Sequence, residues 1–202
     1  MIRRLIVLAA ASLALALPFT TRADVTEVAG IKYDNTVQLA NAKLQLNGAG
    51  IRYKFIKVYT AGLYLTGKAS TLEAVLASPG PRRMHIVMLR EINADELGRL
   101  FTKGMEQNAS REEFSKVIPG VIKMGEIFSG RRKLAAGDWF AIDYVPNVGS
   151  TIVVNGKAAA DPIKEPEFFN ALMKIWLGKS PADAQLKEAL LGKTTVKDPF
   201  SN

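Results

Sequence analysis

Downstream of residue 23 the period of the apolar positions changes from two to three-and-four, back to two, and then to three-and-four again. The segments "GIKYDN", "TVQLA" and "KLQL", and the long run from Ile51 to Leu65 rich in Tyr, Val, Ile and Phe, have strand character. Ser70 is placed to cap a short helix "TLEAVLA"; the "SPGP" turn at 78–81 follows, and "RMHIVMLREI" predicts a further strand. Two helices come next. Asn93 opens the first, with Leu97, Leu100, Phe101 and Met105 on one face, and Ser110 with Glu113 forms a capping box for the second. The second stripe is Phe114, Val117, Ile118, Val121, Ile122 and Phe128, and Pro119 with Gly120 predicts a kink or break within it. Strands return in "DWFAIDYV" and "STIVV", the turn "NGK" makes a hairpin, and "AAA" follows. The last two helices are "EPEFFNALMKIWLG", with Pro166 near its start and Gly178 at its end, and "SPADAQLKEALLG", with Ser180 before Pro181 and Gly192 closing it. Strands, helices, strands and helices in blocks argue for an α+β fold with a largely antiparallel sheet, and against a doubly wound parallel one.

The first 23 residues follow another logic. "MIRR" is a basic segment, "LIVLAAASLALALPF" is an apolar run short for a bilayer, and "TTRADV" puts Thr21 and Ala23 at the small-residue positions of a signal-peptidase site. Cleavage after Ala23 and a periplasmic or secreted location are expected, with a buried N-terminal helix or anchor as the competing reading. Of 202 residues, 179 remain, enough for one domain over 24–202 with a real core. The formal charge of +8 loses Arg3, Arg4 and Arg22 and becomes +5. "RR" at 82–83 and "RRK" at 131–133 lack the interleaved aromatics of a nucleic-acid surface, so both are expected on solvated faces and no nucleic-acid partner is expected.

Candidate chemistry is sparse. The chain has no cysteine, so thiol chemistry is excluded, and its one histidine, His85, lies on a predicted strand without companion ligands, so no metal and no cofactor are expected. His85 reads as structural. Asp95 with Glu96 and Glu112 with Glu113 begin helices, where negative charge suits the macrodipole. Gly48, Gly50 and Gly62 form no phosphate loop and point instead to bulges or close backbone approach. What stands out is Arg52, a permanent charge set with Tyr59 and Tyr64 in "GAGIRYKFIKVYTAGLYL".

That run, with "KVYTAGLYL" and the ending "FFNALMKIWLGKSPADAQLKEALLG", resembles the chalcone isomerase-like family, specifically its secreted bacterial branch, over nearly the whole chain after residue 23. The resemblance implies an open-faced β-sandwich, a large antiparallel sheet against a layer of helices with a ligand cleft between them. The family includes enzymes that cyclise chalcones and members that bind fatty acids. For the cyclising enzymes it implies an arginine, a threonine on the following strand, and a tyrosine, a lysine and an asparagine from a helix. Arg52 matches the arginine; the threonine position falls on Tyr59, with Thr60 one residue beyond and on the other face. The helical positions fall on Phe114, Val117 and Val121, which would turn three hydrogen-bonding groups into hydrocarbon.

Arg52 with Tyr59 and Tyr64, facing a wall of Phe114, Val117, Ile118 and Val121, would hold one anionic head group and its chain. At about 0.8 kcal/mol per buried methylene, a long acyl chain supplies on the order of 10 kcal/mol against an association cost of about 4–15 kcal/mol. Three readings stay open: a non-catalytic binder of a fatty acid or similar apolar anion, an isomerase or intramolecular lyase, and a structural partner-binding module in which Arg52 merely pairs with a carboxylate such as Asp143. A closed apolar cavity ending at Arg52 favours the first, a wet polar cleft the second, a filled core the third.

Overall fold

The structure is a computed structural model that describes residues 24–193; the expected signal segment lies outside the described residues. Its strands are β1 (Val25–Val28), β2 (Ile31–Asp34), β3 (Thr36–Leu39), β4 (Ala42–Lys54), β5 (Ile56–Leu65), β6 (Arg82–Met88), β7 (Ile92–Asn93), β8 (Lys133–Leu134), β9 (Trp139–Val145), β10 (Gly149–Val154) and β11 (Lys157–Ala158). The helices are α1 (Leu72–Leu76), α2 (Ala94–Asn108), α3 (Arg111–Ser129), α4 (Pro166–Leu177) and α5 (Ala184–Leu190). Seven strands form one sheet in the order β11-β10-β9-β6-β5-β4-β3, antiparallel at every junction, and β1–β2 and β7–β8 are separate two-stranded pairs. This is the α+β architecture that the block pattern predicts, a large curled antiparallel sheet with a helical layer.

Period two sorts the strands between two cores. Leu63, Met84, Ile86, Phe140 and Ile142 face the helices, where they meet Phe101, Phe128, Phe168 and Trp176. Their neighbours Ile51, Tyr64 and Val87 face the other way and, with Leu46, pack with Tyr33 of the β1–β2 hairpin. Glycine permits two close approaches across these layers. A Cβ at Gly48 would lie 2.0 Å from the Ala189 carbonyl oxygen, and one at Gly62 would lie 2.6 Å from the Tyr33 ring. The β4–β5 register also shifts between Leu46 and Gly48, so both the bulge and the close backbone approach expected of strand glycines occur at residue 48.

Several local signals act as expected. Asn93 caps α2 through its bond from the Glu96 amide, Ser110 and Glu113 complete the capping box of α3, Pro166 starts α4, and Asn155 and Gly156 turn the β10–β11 hairpin with φ of 47° and 84°. Four expectations are corrected. The run Ile51–Leu65 is not one strand but the end of β4 and all of β5, folded at Phe55. α3 runs unbroken through Pro119, and Gly120 lets it press against Phe168, where a Cβ would come within 2.5 Å. α5 starts at Ala184 behind Asp183 rather than at Ser180; the Asp183 carboxylate accepts from the Gln185 and Leu186 amides, which the serine is too far upstream to reach.

The last correction concerns Arg82 and Arg83, which do not lie on a solvated face. Arg82 is 5% exposed, bonds the Val75 and Leu76 carbonyls at the end of α1 and lies over the Tyr144 and Phe169 rings. Arg83, on the opposite face, makes a two-pronged pair with Asp143, with both N···O distances 2.6 Å. Alternation along β6 sends consecutive arginines to opposite faces of the sheet, where Arg83 gains a paired carboxylate while Arg82 has carbonyl and ring partners but keeps a buried Nε without one.

Candidate functional site

Arg52 and Tyr59 are directly opposed residues of β4 and β5, so their side chains leave the same face of the sheet. That face is the helical one. Beside them is a cleft of about 340 Å³, within the roughly 300–1,000 Å³ range of small-molecule sites. Val58, Ile92, Leu97, Phe101 and Ile175 give it an apolar floor, with Pro181 and Ala182 of the α4–α5 connection closing one side. Arg52, Lys54, Arg90, Lys103 and Gln107 supply its polar wall, with Glu96 the one carboxylate among the lining residues. The field over the cleft is therefore positive.

Tyr59 is 4% exposed, and its hydroxyl oxygen accepts a hydrogen bond from Trp176 Nε1 at 2.9 Å. Burial pushes its pKa up to about 12, against the opposing effects of the Trp176 bond and the Arg52 charge, so at neutral pH it is a phenol with a proton to donate. Arg52 lies 3.8 Å from the Asp183 carboxylate, and its side chain is 21% exposed. The same carboxylate caps α5 and accepts from the Tyr53 amide, so it is anchored from three directions and holds the guanidinium at the cleft wall. Asp143, the partner suggested for Arg52 by sequence, belongs to Arg83 on the other face.

The structure distributes the other sequence candidates differently. Tyr64 follows Tyr59 by five residues, an odd number, and so points into the opposite core, where burial drives its pKa upward. Phe114 is half-buried against the helical core, Val117 and Val121 are buried within it, and Ile118 is exposed. None of these four lines the cleft. Its helical wall is α2. His85 also faces the opposite core, stacked on Trp139 with ring centroids 4.8 Å apart and edge-on to Tyr33; burial, reinforced by Arg83, holds its pKa down at about 4. Among the described residues no group of three or more His, Cys, Asp or Glu could hold a metal ion.

Phe114, Val117 and Val121 are spaced three and four residues apart, and Leu100, Lys103 and Gln107 repeat that spacing fourteen residues earlier. All three of the latter line the cleft. Spacing selects one face of a helix but not which helix carries it. The helical wall of the cleft thus carries two polar side chains, Lys103 and Gln107, beside Leu100.

The sequence profile described as chalcone isomerase-like matches residues 25–192, and the chain belongs to that family. Comparison with curated proteins gives no match. Among solved structures the chain is similar to a crystal structure of a fatty-acid binding protein from Arabidopsis thaliana, with a TM-score of 0.66 at 13% identity, covering 80% of this chain and 92% of that one. At that identity the likeness establishes the fold, which agrees with the sheet and helical layer described above.

Proposed function

We propose that the protein is an exported, non-catalytic binder of a fatty acid or similar apolar anion, held in the cleft between β4–β5 and α2. The observation that carries the proposal is the juxtaposition of Arg52 and the Tyr59 hydroxyl at the wall of a cleft floored by hydrocarbon. An arginine and a neutral phenol together offer charge-assisted and ordinary hydrogen bonds to one carboxylate, while Val58, Leu97, Phe101 and Ile175 take the chain. The solved relative described as a fatty-acid binding protein supports the ligand class. Export, and membership of the secreted bacterial branch, are supported by the order of basic, apolar and small residues before Asp24. Sequencing the mature N-terminus tests export, since a chain that retains residues 1–23 in a membrane fraction refutes it.

Calorimetric titration of delipidated protein with a long-chain fatty acid tests the binding proposal. Arg52→Ala is expected to stay folded and to lose about 2 kcal/mol of affinity, the low end of the range for truncating one partner of a buried charge pair, because Arg52 is partly exposed and already neighbours Asp183. Unchanged affinity in the folded variant refutes the clamp.

A second reading is favoured by Lys103 and Gln107, which place polar groups on the wall of the cleft that Arg52 also lines. In that reading Arg52 polarises a substrate carbonyl and the protein is an intramolecular lyase or isomerase. Phe114, at the position where the resemblance implies tyrosine, argues against it, since a hydrocarbon side chain cannot donate or accept a proton. Turnover by purified protein, abolished by Arg52→Ala, decides for the second reading.

A further inference from the structure

Phe55, at the tip of the β4–β5 hairpin, is fully exposed, and its neighbour Ile56 is 54% exposed. A phenyl ring wholly in water forgoes the stabilisation that burial would give it. The backbone adds a second cost: Phe55 has φ of 66°, a left-handed conformation in which a bulky side chain is an outlier. One residue thus carries both local strain and an exposed ring, and neither is offset by packing.

The surroundings of the tip are basic. Lys54 precedes the Phe55–Ile56 pair in sequence and is exposed. Lys54 also lines the cleft, together with exposed Arg90 and Lys103, so the tip adjoins one side of the cleft's cationic rim. Leu100, 40% exposed, adds apolar surface on the α2 side of the same cleft. Apolar side chains projecting beside a rim in which cations outnumber the one carboxylate, Glu96, are complementary to an anionic bilayer surface, whose headgroups attract the cations while the acyl boundary accepts the apolar side chains.

We propose that the β4–β5 hairpin docks the protein on an anionic phospholipid surface, inserting Phe55 and Ile56 at the headgroup boundary and turning the cleft toward the membrane. The interaction is weak and reversible, since two apolar side chains insert and no helix among the described residues is long and apolar enough to span. It does not require the cleft to hold a fatty acid, so the two proposals fail separately.

The test is flotation of purified protein with vesicles of equal parts phosphatidylcholine and phosphatidylglycerol, and with phosphatidylcholine alone, neither containing free fatty acid. Binding is expected to the mixed vesicles only and to weaken as salt is raised. Phe55→Asn removes the ring and substitutes a residue tolerated in the left-handed region, so it should cut vesicle affinity about tenfold while leaving thermal stability equal or higher. Arg52→Ala, which disables the proposed clamp, should still float. The proposal is overturned if wild type fails to bind the mixed vesicles or if folded Phe55→Asn binds them as wild type does. It is equally overturned if light scattering shows concentration-dependent dimers that Phe55→Asn abolishes and vesicles do not compete for, which would make the tip a self-association surface.

Discussion

Trp176 Nε1 donates to the hydroxyl oxygen of Tyr59 at 2.9 Å, and this bond joins α4 to the middle of the sheet between two buried aromatic rings. It also decides what Tyr59 can do. Because the oxygen accepts from the indole, the phenolic proton is directed elsewhere, and no described residue accepts it. A ligand carboxylate beside Arg52 is the partner that such a proton suits.

Tyr59→Phe therefore has two expected effects. The Trp176 N–H is left buried without a partner, which costs about 1–3 kcal/mol of stability in urea denaturation. Fatty-acid affinity falls by a further effect of about 0.5–1.5 kcal/mol, seen in calorimetric titration. A double-mutant cycle with Trp176→Phe separates them: coupling in stability of about 0.5–3 kcal/mol is expected for a bonded pair, whereas additive losses would show that the bond contributes nothing of its own.

Asp183 gives a test of opposite sign. Its carboxylate competes with any bound anion for Arg52 while capping α5 and anchoring the Tyr53 amide. Asparagine retains one side-chain oxygen for the cap but sets an NH2 where Oδ2 accepts from the Tyr53 amide. Asp183→Asn should therefore cost about 1–3 kcal/mol of stability and tighten binding of a fatty acid about three- to fivefold, on the scale of a partly exposed ion pair. Weaker binding would mean that Asp183 serves to position Arg52 rather than to compete for it.

How far the site could be read from sequence follows from the range of the signals. Asn93, Ser110 with Glu113, and Asn155 with Gly156 act within three or four residues, so the elements they bound were legible. Arg52 and Tyr59 were legible as a pair because both sit in one run that folds back on itself, and their facing in register brings them together. Tyr64 was separable by parity alone, since the fold only enforces the alternation already present between residues 59 and 64. Asp183 was not legible: its partner Arg52 is 131 positions away, and no local pattern links them. The helical wall fell between these cases. Two helices offer the same spacing, and only tertiary packing shows that Leu100, Lys103 and Gln107, rather than Phe114, Val117 and Val121, border the cleft. Arg82 and Arg83 show the same limit, because a charge pair in sequence gives no hint of the carbonyls and carboxylate that receive it.

Stability should depend on pH at both ends of the scale. His85 has its pKa lowered from 6.5 to about 4, so the unfolded chain binds its proton more readily. Its contribution is complete above about pH 6.5 and is lost as pH falls toward 4. Tyr59 is raised from 10.0 to about 12, and Tyr33 and Tyr64 are raised as well, each chiefly by burial. Their contribution is complete below about pH 10 and is lost as pH climbs through 12. Urea midpoints measured across this range should form a plateau between the two limits. His85→Phe, which keeps a ring against Trp139, should flatten the acid limb; an unaltered limb would show that His85 does not titrate in the folding equilibrium.

The catalytic reading makes the remaining prediction. Purified protein is expected to leave chalcone cyclisation at its spontaneous rate, because Phe114, Val117 and Val121 stand where the resemblance implies hydrogen-bonding groups, although Arg52, Lys103 and Gln107 share the cleft. In that case Lys103 serves the rim charge, and Lys103→Ala should weaken fatty-acid binding by about fivefold or less, as for an exposed cation contributing no more than about 1 kcal/mol. Salt should reduce the difference between Lys103→Ala and wild type, since the interaction is open to solvent. The informative contrast is with turnover: a rate well above background that falls in both Lys103→Ala and Arg52→Ala would show that these polar groups perform chemistry, and the binder reading would be abandoned.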